Sequence, residues 1–90
     1  MQIVQTSLFL RHAKRLHKNQ KKDLDSAVRD IMNNPEVGQE KKGDLSGVRV
    51  YKFKMVGQLT LLAYQIDFEQ ATLQLLSFGS HENFYRDLKR

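Results

Sequence analysis

Cysteine and tryptophan are absent from this 90-residue chain, and proline occurs once, as Pro35. Without cysteine there is no disulfide framework and no thiolate metal site, and a reducing compartment, the cytoplasm, is the natural setting. No apolar run approaches the roughly 20 residues that a membrane span requires. The opening Met1-Gln2-Ile3-Val4-Gln5 has neither the charged start nor the long apolar stretch of a secretory leader. Acidic residues are missing too: none occurs before Asp23. What remains is a single domain, residues 1–90, with room for one modest core, since a chain of this size hides only roughly 60–65% of its unfolded surface.

Into the acid-free stretch fall Arg11, Lys14, Arg15, Lys18, Lys21 and Lys22. Two further basic groups follow, Arg49 with Lys52 and Lys54, and Arg86 with Lys89 and Arg90. The net charge of +5 is therefore concentrated, and such clusters attract polyanions over about a Debye length. Lysines on a helix are commonly a solvated face. Lysines on a strand have less water around them and call for another explanation.

Hydrophobic periodicity orders the chain. Residues 2–6 read as a short edge strand, and Thr6 or Ser7 can cap the helix that carries Phe9, Ala13 and Leu16. The polar Lys18-Asn19-Gln20-Lys21-Lys22 reads as a bend. A second helix shows Leu24, Ala27, Val28 and Ile31 at i, i+3, i+4, i+7 and stops at Asn33-Asn34-Pro35, because proline disfavours helical geometry in the residue before it. Glu36 to Gly47 is polar, contains Gly38, Gly43 and Gly47, and reads as a loop. Strands are expected at about 48–56, 59–66 and 71–78, joined by short hairpin connections. Leu59-Thr60-Leu61-Leu62-Ala63-Tyr64 is nearly continuous in apolar character, as in a central strand covered on both faces. The expected class is α+β: an N-terminal helical hairpin packed on one face of a small antiparallel sheet, with a short C-terminal helix after Ser80. The opposite sheet face is left for ligands.

Two patterns carry chemistry. In Val50-Tyr51-Lys52-Phe53-Lys54-Met55, strand alternation puts both lysines on one side, roughly 6.5–7 Å apart, about the width of a phosphate and its sugar. In Gly79-Ser80-His81-Glu82-Asn83-Phe84-Tyr85, a helix beginning after Ser80 would put His81 and Tyr85 on a shared face. Two ammonium groups, an imidazole and a phenol suit grasping, and cutting, a phosphodiester. His12 and His17 point to no metal: five positions apart, they fall off-face on a helix, and no carboxylate cluster accompanies them.

The order of these elements resembles the RelE/ParE superfamily of bacterial type II toxins over almost the whole chain. The residues that carry the resemblance are Gly43-Asp44-Leu45-Ser46-Gly47, Val48-Arg49-Val50-Tyr51-Lys52-Phe53-Lys54, Leu62-Ala63-Tyr64 and the terminal segment from Gly79 to Tyr85. The RelE- and YafQ-like branch, which the lysine pair and His81 favour, implies a metal-independent, ribosome-dependent mRNA endoribonuclease that inhibits translation. In its chemistry the 2′-hydroxyl attacks the adjacent phosphate. The resemblance implies Lys54 as base or charge stabiliser, Lys52 as phosphate contact, His81 as general acid and Tyr85 as stacking or orienting group. Arg49, Arg86 and Lys89 join Lys52 as RNA-binding cations. No cofactor is implied. The implied partners are the ribosome and mRNA, and a cognate antitoxin forming a hetero-oligomeric complex, whose acidic amphipathic segment would cover Lys52, Lys54 and His81. The ParE-like alternative is a toxin that poisons DNA gyrase by binding; a weakly toxic antitoxin-binding module is the third. One departure stands out. RelE-like nucleases carry an arginine shortly before the tyrosine matched by Tyr64, and here Leu59 to Ala63 holds no cation.

Overall fold

The computed structural model describes residues 1–80 together with Phe84 and Tyr85. Its elements are β1 (Gln2–Gln5), α1 (Ser7–Ala13), α2 (Lys18–Asn33), β2 (Gln39–Glu40), β3 (Arg49–Met55), β4 (Gln58–Asp67) and β5 (Thr72–Gly79), with a 3-10 turn at Gly43–Leu45. The five strands form one sheet in the order β1-β5-β4-β3-β2. The two helices carry the chain from one edge of the sheet to the other. From there β2, β3, β4 and β5 return as an antiparallel meander, and β5 closes against β1 in parallel.

The α+β class holds, with corrections. The expected edge strand at residues 2–6 forms as β1 and precedes the helical pair, so the helices are not the first element, and the sheet is mixed rather than antiparallel. Parallel pairing arises because the helices turn the chain around before the last strand reaches the first, a contact between distant parts of the chain. The expected bend at Lys18–Lys22 is instead the start of α2. Lysine and glutamine are good helix formers, and the Gln20 side-chain carbonyl accepts the backbone N–H of His17 at 2.9 Å. The turn falls earlier, where Arg15 and Leu16 donate to the carbonyls of His12 and Ala13. Gln39–Glu40, inside the expected loop, makes a two-residue strand on β3. The short C-terminal helix expected after Ser80 falls mostly outside the described residues; Phe84 and Tyr85 have helical backbone.

Both helices bury their apolar stripes on one face of the sheet. Phe9 from α1 and Leu24, Ala27 and Ile31 from α2 pack with Met55, Leu62, Tyr64, Leu73, Leu75 and Phe78. Phe9 meets Phe78 edge to face, with ring centroids 5.1 Å apart. Thr6 fixes the start of α1: its hydroxyl accepts the N–H of Phe9 and donates to the carbonyl of Leu76 on β5. The second cluster lies on the opposite face and comprises Val48, Val50, Leu61, Ala63 and Phe84, with Leu45, Leu76 and Tyr85 around it. A β-bulge feeds it. β5 pairs Ser77 with Ala63 and Leu75 with Tyr64, so Leu76 is an extra residue that reaches this second cluster.

Candidate nucleic-acid interface

Alternation along β3 sorts its side chains between the two faces. Val50 is buried in the second cluster, so Lys52 and Lys54, two and four positions on, stand on the same side, opposite the helices. Both are exposed. Across the ladder Lys52 pairs with Leu61 and Lys54 with Leu59, so β4 presents apolar side chains to them and no cation. Leu61 in turn pairs with Gly79, the last residue of β5. One row therefore runs Lys52, Leu61, Gly79, and the chain leaves the sheet two strands from Lys52, about 9–10 Å away. His81, Arg86 and Lys89 lie outside the described residues.

Phe84 N–H donates to the carbonyl of Ser80 at 2.9 Å, a helical spacing. The Phe84 ring is buried among Val48, Val50, Leu61 and Ala63, and the half-buried Tyr85 ring meets it edge on at 4.9 Å. Tyr85 therefore stands on the lysine face of the sheet. Lys41, from the segment after β2, reaches this face as well: its ammonium sits 5.6 Å from the centroid of the Tyr85 ring. That is within the range of a cation–π contact. Nothing in the periodicity around Lys41 signals this placement.

Arg49 goes elsewhere. Being of odd register, it pairs with Tyr64 and faces the helix side, away from the two lysines. Its guanidinium donates to the carbonyls of Gly38 at 2.8 Å and Glu36 at 3.3 Å, and approaches the Glu40 carboxylate at 3.8 Å. Beside it the Tyr64 hydroxyl donates to the carbonyl of Pro35 at 2.7 Å and accepts the N–H of Gly38 at 2.9 Å. Burial pushes the Tyr64 phenol above its ordinary range, while the Gly38 bond and the Arg49 charge pull it down. A side chain at position 38 would put its Cβ 2.6 Å from that hydroxyl, so glycine is required there by space alone. Arg49, expected as an RNA-binding cation, thus has structural partners on the face away from the two lysines. Together with Tyr64 it pins residues 35–40, and this pinned segment delivers Lys41.

The other face of β3 is also occupied. Tyr51 and Phe53 stack with centroids 6.2 Å apart, and the Tyr51 hydroxyl donates to Asp30 on α2 at 3.0 Å. Burial, then the bond to Asp30, raise the Tyr51 phenol. His12 contributes an edge-on contact to Phe78, in the cluster on the helix face, and His17 is the N-cap residue of α2.

The family model of the ParE-like toxin of type II bacterial toxin–antitoxin systems matches residues 3–89. The chain belongs to this toxin family. The toxin also superposes on solved structures. Against a toxin–antitoxin complex of the RelBE type from Mycobacterium tuberculosis the TM-score is 0.75, with 21% identity over 89% of this chain and 96% of that one. Against the intact Escherichia coli RelBE complex it is 0.70, with 18% identity over 88% and 94%. A YoeB/ParE toxin from Agrobacterium tumefaciens gives 0.70, with 16% identity over 90% and 99%. At these identities the likeness is one of fold. No curated protein sequence matches the toxin closely. Among the described residues no helix is long and apolar enough to cross a membrane.

Proposed function

We propose that the toxin is a ribosome-dependent mRNA endoribonuclease acting in the cytoplasm by side-chain acid–base chemistry. One observation carries the reading: two exposed lysines stand side by side on the sheet face opposite the helices, where Tyr85 is packed and where β5 ends in the row of Lys52. In this mechanism Lys54 accepts the proton of the 2′-hydroxyl. The 2′-oxygen attacks phosphorus, and the bond to the 5′-oxygen breaks. His81 gives its proton to that leaving oxygen, so a cyclic phosphate and a free 5′-hydroxyl result. Lys52 holds a non-bridging oxygen, Tyr85 orients the strand, and Arg86 and Lys89 extend the contact with its backbone. The antitoxin of the module neutralises the toxin by covering this face.

Primer extension on transcripts after induced expression tests the proposal. Discrete new 5′ ends are expected with the parent and none with His81→Ala. A toxic parent that leaves transcripts intact would end the nuclease reading. A second reading, gyrase poisoning by binding, draws on Leu61, which stands opposite Lys52 where a nuclease would gain from a cation. It calls for trapped gyrase–DNA cleavage complexes together with intact transcripts.

A further inference from the structure

The cation missing from β4 leaves a question that the fold itself can address. Leu59 and Leu61 flank the lysine pair, and Arg49 is bonded to loop carbonyls on the far face. Lys41 is different. Its backbone N–H donates to the carbonyl of Val48 at 2.8 Å, which seats it beside β3 four residues before Lys52. That is about 13–14 Å along the strand. Its ammonium lies over Tyr85, on the face that Val48, Val50, Lys52 and Lys54 share. The face thus carries Lys54 and Lys52 toward one end of β3 and, toward the other, a third ammonium set against an aromatic ring. A groove lined by positive charge with interposed aromatic rings is the arrangement that tracks a single-stranded backbone.

We infer that Lys41 is a third phosphate-binding cation of this face, taking a backbone phosphate of single-stranded RNA beside Tyr85, farther along β3 from Lys52 and Lys54. The inference rests on the nuclease reading and adds to it a binding residue and a direction for the substrate strand, along β3. Lys41 is a binding residue here, not a participant in proton transfer. The Arg49–Tyr64 lock on residues 35–40 holds its approach in place.

Fluorescence anisotropy with a short 2′-O-methyl RNA, which cannot be cleaved, tests this from 20 to 200 mM salt. Each phosphate contact contributes about 0.7 to the slope of log affinity against log salt for a single strand. Lys41→Gln should lower the slope by about 0.7 and weaken binding roughly 5–10-fold at 50 mM salt, equally for different RNA sequences. Lys41→Arg should restore both. The same loss should appear in a Tyr85→Leu background, which separates a phosphate contact from mere support of the ring. If Lys52→Gln flattens the slope and Lys41→Gln does not, the assignment of Lys41 falls while the nuclease reading stands. If the parent yields no cleaved transcripts by primer extension, both fall.

Discussion

β3 presents two faces of opposite purpose within seven residues. On one, Arg49, Tyr51, Phe53 and Met55 meet the helices and the 35–40 segment, and each polar group is spoken for by a named partner. On the other, Val50 supports a small second cluster while Lys52 and Lys54 are left to solvent. The difference shows what separates a structural cation from a candidate functional one. A guanidinium that satisfies two carbonyls and a carboxylate stabilises the fold; ammonium groups lined up on an exposed face attract an anion.

Substitutions can break or sharpen this contrast. The largest effect belongs to the open face: Lys54→Ala and His81→Ala should each reduce transcript cleavage by about 10²–10⁴-fold while thermal unfolding stays within about 0.5 kcal/mol of the parent. A matching loss of stability would show that the lysine face is structural after all. Next comes the covered face. Ile31 is fully buried beneath α2, and Ile31→Ala should cost about 2–5 kcal/mol, lowering the midpoint of a thermal melt by at least about 10 °C.

The loop lock should lose less. Tyr64→Phe removes the hydroxyl bonded to Pro35 and Gly38, at a cost of about 1–3 kcal/mol in urea unfolding. It should also change the alkaline response. Both Tyr51 and Tyr64 are raised above an ordinary phenol pKa near 10. The unfolded chain therefore loses these protons first, and the stability they contribute is complete below about pH 10 and declines as pH rises through the folded values. Urea midpoints measured between pH 9 and 11 should fall more steeply for the parent than for Tyr64→Phe; parallel curves would remove Tyr64 from the account.

The smallest effect is at the hairpin joining β3 to β4. Val56 and Gly57 both have positive φ, 49° and 79°, a turn geometry that a β-branched residue resists. The Val56 N–H is held by the Asp23 carboxylate at 2.7 Å. Val56→Asn should stabilise the fold by about 0.5–1 kcal/mol in the same melt, with cleavage unchanged. A loss of cleavage would tie this turn to the lysine face.

Much of the arrangement was legible before any coordinates. The stripe of Leu24, Ala27, Val28 and Ile31 identified α2, and the position of Pro35 gave its end to within two residues. The run from Leu59 to Tyr64 marked the central strand, and of the two expected cap residues, Thr6 and Ser7, Thr6 is the one that caps α1. Parity along β3 already paired Lys52 with Lys54. The same parity separates Arg49 from them, a signal present in the numbering that grouping by nearby charge concealed. Lys41 left no such signal, because a polar loop has no period from which to infer direction.

Local physics therefore settled most of the elements, the α+β class and the shared side of the two strand lysines, since side-chain alternation and helical spacing depend only on near neighbours. Tertiary structure decided the rest: the parallel closure of β5 on β1, the lock of Arg49 and Tyr64 on residues 35–40, and the arrival of Lys41 above Tyr85. Each of these joins residues far apart in the chain. Their pairing is selected by burial and hydrogen bonding across the whole domain, which no short window of residues contains.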